Sequence, residues 1–303
     1  MNRTCIILNP AARSEKAKRL KSQIESLAAS LPEGASIKYT EGPGDAEAKA
    51  ERAVEQGYRT IVAAGGDGTI NEVVNGLTGF AEEGDEPPEV TLGILPIGTV
   101  NVFSMELGIP SQLEKAWEII VRGKTRLIDL ARANDHRFVQ LAGVGFDAQI
   151  VARTEWESKK RLGPLSYVLT GAQIVTEKPP KLVVRTAEGK TYKGCFVLIG
   201  NGRFYGGPFS ICKEAKLDDG LLDVCIFEQM NPLALVWYLQ GILTGKHTSF
   251  PDVRYFKSRS LRVESDEKVP VEVDGELLGF LPCEFSVSPR SLRVLAPEAR
   301  AKH

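Results

Sequence analysis

Residues 61 to 69 read Ile-Val-Ala-Ala-Gly-Gly-Asp-Gly-Thr. A short apolar strand runs into two glycines, an acid, a third glycine and a threonine. Behind them Ile70, Val73, Val74 and Leu77 stand at the spacing of one helical face. A strand–glycine–helix junction bares backbone N–H groups at the positive end of a helix dipole, which is a recipe for holding phosphate. Asp67 sits oddly in such a cradle, because a plain phosphate site does not want a carboxylate at its centre. An acid there makes sense where a cation, or a proton to be removed, is also present.

The rest of the chain supports a two-part reading. In its first ~130 residues strand and helix patterns alternate, the mark of a mostly parallel sheet wrapped by helices. Strands are expected over Cys5–Asn9, Ile37–Thr40, Thr60–Ala64 and Thr91–Leu95. Helices are expected over Ser14–Ala29, from Asp45 to near Gly57, and over Leu113–Val121 with Gly123 as the stop. Beyond residue 130 strand-like runs dominate: Phe138–Ala142, Leu182–Thr186, Phe196–Ile199, Leu222–Phe227, Leu261–Glu264, Val269–Val273 and Phe285–Ser288. Two helices interrupt them, over Ala148–Val175 and Pro232–Leu243. Many short strands with glycine-rich turns point to an antiparallel sandwich or barrel. Glu82–Pro88 reads as an acidic loop, and Phe204–Pro208 as a loop rather than a lid.

Composition removes several classes of function. With 303 residues, 43% apolar and 25% charged, the chain is of ordinary globular make-up. A net charge of −1 and the lack of a long basic run argue against sequence-independent nucleic-acid binding. Five scattered cysteines and three histidines give no zinc spacing, and reduced thiols in the cytoplasm are expected. The N-terminus enters a strand directly, so no signal peptide is expected, and no run approaches the ~20 apolar residues of a membrane span.

Further turns could carry chemistry. Pro96-Ile97-Gly98-Thr99-Val100-Asn101 also follows a strand, and it should lie beside Gly65–Thr69 at the carboxyl edge of the sheet, together with Asn9 and Arg13. Gly143–Asp147 opens a helix. Lys216-Leu217-Asp218-Asp219-Gly220-Leu221 and Val273-Asp274-Gly275-Glu276 are acidic turns able to bind a hard cation or accept a proton. Each has a plainer reading: Asp-Gly is a common hairpin dipeptide, and Gly143–Asp147 could be only a turn and an N-cap. Their joint occurrence in this order is the signal.

Taken in that order, the chain resembles the diacylglycerol kinase catalytic-domain superfamily, particularly the soluble bacterial lipid kinases related to sphingosine and ceramide kinases. The resemblance rests on Asn9-Pro10, Gly65–Thr69 with Asn71-Glu72, Leu92–Thr99 with Asn101, Gly143–Asp147, Asn201-Gly202, Lys216–Val224 and Val273–Glu276. It implies a Rossmann-like α/β N-terminal domain of the NAD kinase and diacylglycerol kinase type, over residues 1–130. A C-terminal antiparallel β-sandwich for the lipid would span 131–289, with 290–300 returning to the first domain.

The resemblance also implies a chemistry: an ATP-dependent phosphotransferase acting on a diacylglycerol-like or sphingoid-like hydroxyl in an interdomain cleft. ATP would lie along Asn9, Pro10, Ala11, Ala12, Arg13, Thr40, Gly65, Gly66, Asp67, Gly68, Thr69, Ile70, Asn71, Glu72, Thr99 and Asn101. Asp67 would help organise the triphosphate and its Mg2+. A structural Mg2+ would sit on the side chain of Asp219 and the carbonyls of Lys216 and Leu221. Asp274, with Glu276 beside it, is the expected general base. The protein would be cytoplasmic and peripheral at the inner membrane surface, touching the membrane transiently, with a homodimer left open. The helix around Leu233, Leu235, Val236, Trp237, Leu239 and Leu243 is a candidate for that contact, although its apolar density reads more readily as core.

One departure stands out. Many members carry an acid where this chain has Val102, in a carboxylate–water–magnesium network with the positions of Asp67 and Asp129. It leaves open a catalytically weak lipid- or nucleotide-binding protein. A soluble-metabolite kinase of the NAD kinase type is the other alternative, since such enzymes share a related glycine loop; the Lys216–Leu221 turn argues against it.

Overall fold

The computed structural model describes residues 3–10, 15–31, 34–78, 89–153 and 178–297. The chain divides into two compact units, Met1–Leu130 with Ser288–His303, and Ala131–Val287. In the first, strands β1 (Thr4–Leu8), β2 (Ala35–Tyr39), β3 (Thr60–Gly65) and β4 (Thr91–Pro96) pair in the order β2-β1-β3-β4, all parallel. β3 and β4 are apolar almost throughout and buried along nearly their whole length, as strands covered on both faces must be. Helices α1 (Glu15–Ala29), α2 (Asp45–Glu55) and α3 (Asp67–Thr78) connect them, and α4 (Val102–Leu107) and α5 (Leu113–Arg122) follow β4. α5 stops at Gly123, which takes the left-handed conformation a helix end favours. α2 and α3 touch at Gly76, where a Cβ would stand 2.3 Å from the carbonyl oxygen of Glu47.

The second unit is a β-sandwich. One sheet orders β14 (Val253–Ser258), β13 (Leu222–Phe227), β10 (Phe196–Gly200), β7 (Leu141–Val144), β16 (Pro270–Val273) and β17 (Glu276–Phe280), every neighbour antiparallel. The facing sheet contains the end of β5 (Thr125–Ala133, of which the residues from Ala131 on belong to this unit), β6 (His136–Phe138), β8 (Leu182–Thr186), β9 (Thr191–Gly194) and β15 (Ser260–Glu264). Alternation decides what each side chain meets. Val197 and Ile199 of β10, with Leu222, Val224 and Ile226 of β13, face the space between the sheets. Phe196, Leu198, Cys225 and Phe227 face a second core on the other side of the six-stranded sheet, which also takes in Tyr238. That double burial is why these strands read as unbroken apolar runs. Short helices α6 (Phe146–Arg153) and α7 (Pro232–Leu243) complete the unit.

Several expectations change. Phe138–Ala142 is not one strand, because the chain breaks between β6 and β7. Phe204–Pro208 is not an open loop: β11 (Phe204–Tyr205) and β12 (Phe209–Ser210) form a hairpin through Gly206 and Gly207. The helix expected over Ala148–Val175 begins at Phe146, and its part from 154 onward lies outside the described residues, as does Glu82–Pro88. α7 has the expected bounds but is not a core helix. Only Tyr238 and Gly241 are buried, while Leu233 is 84% exposed. Among the described residues no helix is long and apolar enough to cross a membrane.

Phe285–Ser288 is a small part of β18, which runs from Cys283 to Leu295. Its first residues pair antiparallel with β15 in the second unit. Arg293 and Val294 pair parallel with Thr91 and Leu92 of β4 in the first.

Candidate active site

β3 delivers Gly65 to the edge of the first sheet, and α3 begins at once with Asp67. The first turn of the helix closes with Ile70 N–H donating to the Gly66 carbonyl, 3.1 Å. The N–H groups of Asp67, Gly68 and Thr69 precede that bond and have no helical acceptor, the arrangement that suits an anion. The glycines are required by crowding rather than by unusual dihedrals. A Cβ on Gly65 would stand 2.4 Å from the Thr69 Cβ, and one on Gly98 2.4 Å from the Gly66 Cα.

The two glycine turns therefore touch. Ile97 and Gly98 N–H both donate to the Gly65 carbonyl, at 3.1 and 3.2 Å. Asn101, at φ 59°, closes the second turn on itself: Gly98 N–H donates to its Oδ1 at 3.0 Å, and its Nδ2 donates to the Gly98 carbonyl at 2.9 Å. Asp67 Oδ1 accepts from Phe103 N–H at 3.2 Å and so holds the start of α4. Asn9 joins the same edge, its backbone N–H on the Ala64 carbonyl and its Nδ2 on Thr69 Oγ1, both 2.9 Å. Thr40 N–H donates to the Leu8 carbonyl at 2.9 Å.

Other expected nucleotide residues have structural work. Ile70 is buried in the core. Glu72 accepts from Gly44 and Ala46 N–H, both 2.9 Å, and caps α2. Asn71 accepts from Asn75 Nδ2. Pro10 and Thr99 are exposed. Ala11, Ala12 and Arg13 lie outside the described residues. Asp129 is buried, and its Oδ1 accepts from Arg290 N–H at 2.8 Å, holding a left-handed residue (φ 52°) inside β18.

Asp274, on the turn from β16 to β17, is occupied. Its Oδ2 accepts from Val139 N–H at 2.9 Å, and its Oδ1 accepts from Gln140 and Leu141 N–H, each at 3.0 Å. This carboxylate makes the break between β6 and β7. Both of its oxygens are thus engaged by backbone donors, which ties the side chain to the turn. Glu276, two residues on, is exposed at the start of β17.

In the Lys216–Leu221 turn, Gly220 is left-handed and Asp219 Oδ1 accepts from Leu221 N–H at 3.2 Å. Asp219 Oδ2 also accepts from Lys257 Nζ at 2.7 Å, and the same ammonium lies 3.2 Å from Asp223 Oδ2. Tyr255 donates a short hydrogen bond to Asp223 Oδ1. Burial pushes the Asp223 carboxyl up, against the pull of Tyr255 and Lys257. Burial works against the charge on Lys257, but its bond to Asp219 and the charge of Asp223 prevail and raise its pKa. Sequence reasoning missed Asp223, Tyr255 and Lys257. The signal was one acid inside the apolar run Leu222–Phe227, which needs a partner; strand pairing places Lys257 opposite it. Among the described residues no three His, Cys, Asp or Glu side chains form a metal-holding group. The turn does supply the hard oxygens magnesium takes, one carboxylate with neighbouring carbonyls.

The comparisons agree in both units. Residues 3–133 match the diacylglycerol kinase catalytic domain, and 140–296 match the YegS C-terminal NAD kinase beta sandwich-like domain. A diacylglycerol kinase of Staphylococcus aureus (strain MRSA252) is 33% identical over 298 residues, covering 97% of this chain and 92% of the relative. One from Staphylococcus carnosus (strain TM300) is 30% identical, covering 98% and 95%. A solved structure of a diacylglycerol kinase from Bacillus anthracis str. Sterne superposes with a TM-score of 0.79 at 27% identity, covering 99% of each chain.

Proposed function

This chain belongs to the diacylglycerol kinase family, phosphotransferases with an alcohol acceptor, and we propose that it moves the γ-phosphoryl group of ATP onto the hydroxyl of a diacylglycerol-like or sphingoid-like lipid. The observation that carries this reading is the contact of the two glycine turns at the N-terminus of α3. Two turns packed so closely that a Cβ on Gly65 or Gly98 would clash, with backbone N–H groups free of helical acceptors beside them, fit a chain of phosphates. Asn9, Thr40, Gly65–Thr69, Thr99 and Asn101 would form or support it. Bound Mg2+ would supply charge neutralisation on the phosphate oxygens. Asp67 would face the nucleotide's ion, and Asp219 with the carbonyls of Lys216 and Leu221 would hold a structural one. Asp219 would then share its charge between the ion and Lys257. Val102 offers no carboxylate to the nucleotide's ion, which favours weak metal affinity there.

The two acids of the 273–276 turn take different parts in this reading. Glu276 accepts the lipid hydroxyl proton as that oxygen bonds to phosphorus and ADP leaves. Asp274 is a positioning residue that fixes the turn. The protein's contribution is otherwise orientation and charge. We place the enzyme in the cytoplasm, working at the inner membrane surface where its acceptor resides.

Purified protein with Mg-ATP should transfer labelled phosphate to at least one of a panel of diacylglycerols, sphingoid bases and other lipid alcohols, and not to NAD. Transfer to NAD alone would move the assignment to soluble-metabolite kinases. Glu276→Gln should lower kcat by about 10²–10⁴-fold with stability unchanged. A variant that keeps its turnover would remove Glu276 from the role of base.

A further inference from the structure

α7 is apolar on both sides. From Asn231 to Gly245 the chain carries no charged residue. At 100° per residue, Ala234, Leu235, Tyr238, Gly241 and Ile242 fall on one arc, and they are the buried or half-buried positions of the helix. This inner arc is seated firmly. Tyr238 lies in the core beside Phe196 and Phe227, and its hydroxyl donates to Asp252 at 2.7 Å. Gly241 lies so close to Phe250 and His247 that a Cβ would stand 2.5 Å from the Phe250 ring. The outer arc holds Leu233, Val236, Trp237, Leu239 and Leu243 with Gln240. Val236 is 68% and Leu243 63% exposed. Trp237 stacks on Phe250 with centroids 4.7 Å apart, half its surface still open. Exposed Phe209 stands on β12 nearby.

We propose that the outer face of α7 docks the protein on a bilayer with anionic headgroups, its apolar side chains entering the interface and lysines at its C-terminal end meeting the phosphates. A rigid helix with large apolar residues outward and a half-open tryptophan is built like an interfacial anchor. Its cations lie where that pose needs them. Lys246, just past the C-cap Thr244 and Gly245, is exposed, and exposed Lys213 donates its Nζ to the Gly245 carbonyl at 3.3 Å. A second copy of the chain is a poorer occupant. A helix of 12 residues offers a footprint of roughly 18 by 10 Å, far short of the ~800 Å² per partner that a stable interface buries. A bilayer sets no such minimum. The choice of occupant rests on the family's lipid acceptor; the face itself does not.

The test uses the full chain and vesicles free of diacylglycerol and sphingoid bases, without ATP, so phosphoryl transfer plays no part in it. Wild-type protein should co-sediment with phosphatidylglycerol-containing vesicles, less so as salt rises. Lipids brominated on the acyl chain should quench its fluorescence, and Trp237→Phe should abolish that quenching. Leu233→Gln, Val236→Gln and Leu243→Gln together should lower partitioning by about tenfold or more, and Lys213→Glu with Lys246→Glu should remove the preference for anionic vesicles. Partitioning unchanged in the triple variant, or wild type that brominated lipids do not quench, overturns the proposal. So does a wild-type dimer that the triple variant dissolves while vesicles bind neither protein, which would give the face to a second copy. The quenching measurement on unaltered protein keeps the test decisive should the triple variant fold poorly.

Discussion

Asp274 shows how much one side chain can fix. Its carboxylate gathers three consecutive backbone N–H groups from 133 to 135 residues away in sequence. Asp274→Ala should cost about 2–4 kcal/mol in urea unfolding, since three donors lose a charged acceptor. Asp274→Asn should cost less, because an amide oxygen still serves two of them while its NH2 faces the third. The sequence marks Asp274-Gly275 as a turn, which it is, but the targets of the carboxylate are set by tertiary pairing that no local pattern carries. The same limit hid Lys257 and Tyr255. The cysteines are a second residue-scale case. Burial raises the Cys5 thiol to about 11 and Cys283 to about 12, and it lifts Cys195, Cys212 and Cys225 as well. At pH 8 a thiol reagent should find at most Cys195, which alone of the five is not buried, against five thiols in denaturant. The unfolded thiols ionise first on raising pH. Stability from keeping them neutral is therefore full below pH ~9 and declines as pH climbs toward the folded values.

At the scale of elements, patterns that depend on neighbours in sequence were legible, and those that depend on the far side of the molecule were not. β1, β3 and β4 announce themselves as apolar runs, and α5 ends at the glycine expected to stop it. α7 is the counter-example. Its bounds are plain from Asn231 and Pro232, which cap and open it, yet apolar density alone cannot say whether a face meets core or solvent. β18 misled in another way. Pro289 and Arg290 read as a boundary, whereas the strand runs through them, bent at a left-handed Arg290 that Asp129 secures. The glycine turns invite a direct test. Gly98→Ala must push apart the backbones of two loops and should reduce nucleotide binding by at least tenfold in titration calorimetry, with the second unit unaffected. Gly76→Ala sets a methyl group against the Glu47 carbonyl, so it should lower Tm by several degrees through the packing of α2 on α3.

For the molecule as a whole, β18 decides what can stand alone. Leu292, Val294 and Leu295 are buried, and they complete the first unit from the far end of the chain. A fragment of residues 1–130 should be insoluble or molten, judged by dye binding and amide dispersion. The same fragment joined by a short linker to 288–303 should give a cooperative transition. A stable, well-dispersed 1–130 would refute this. Residues 61–77 promised a nucleotide domain at the front of the sequence; they could not say that its closing strand, Cys283–Leu295, is stored so much later in the chain. The order of synthesis acquires a meaning from this. A ribosome releases the parallel strands of the first unit early, and they must wait, incomplete and sticky along the edge of β4, until the residues from Ser288 on have been made. A chain cut short anywhere from Ser288 to Val294 would therefore injure the part of the protein that was made first.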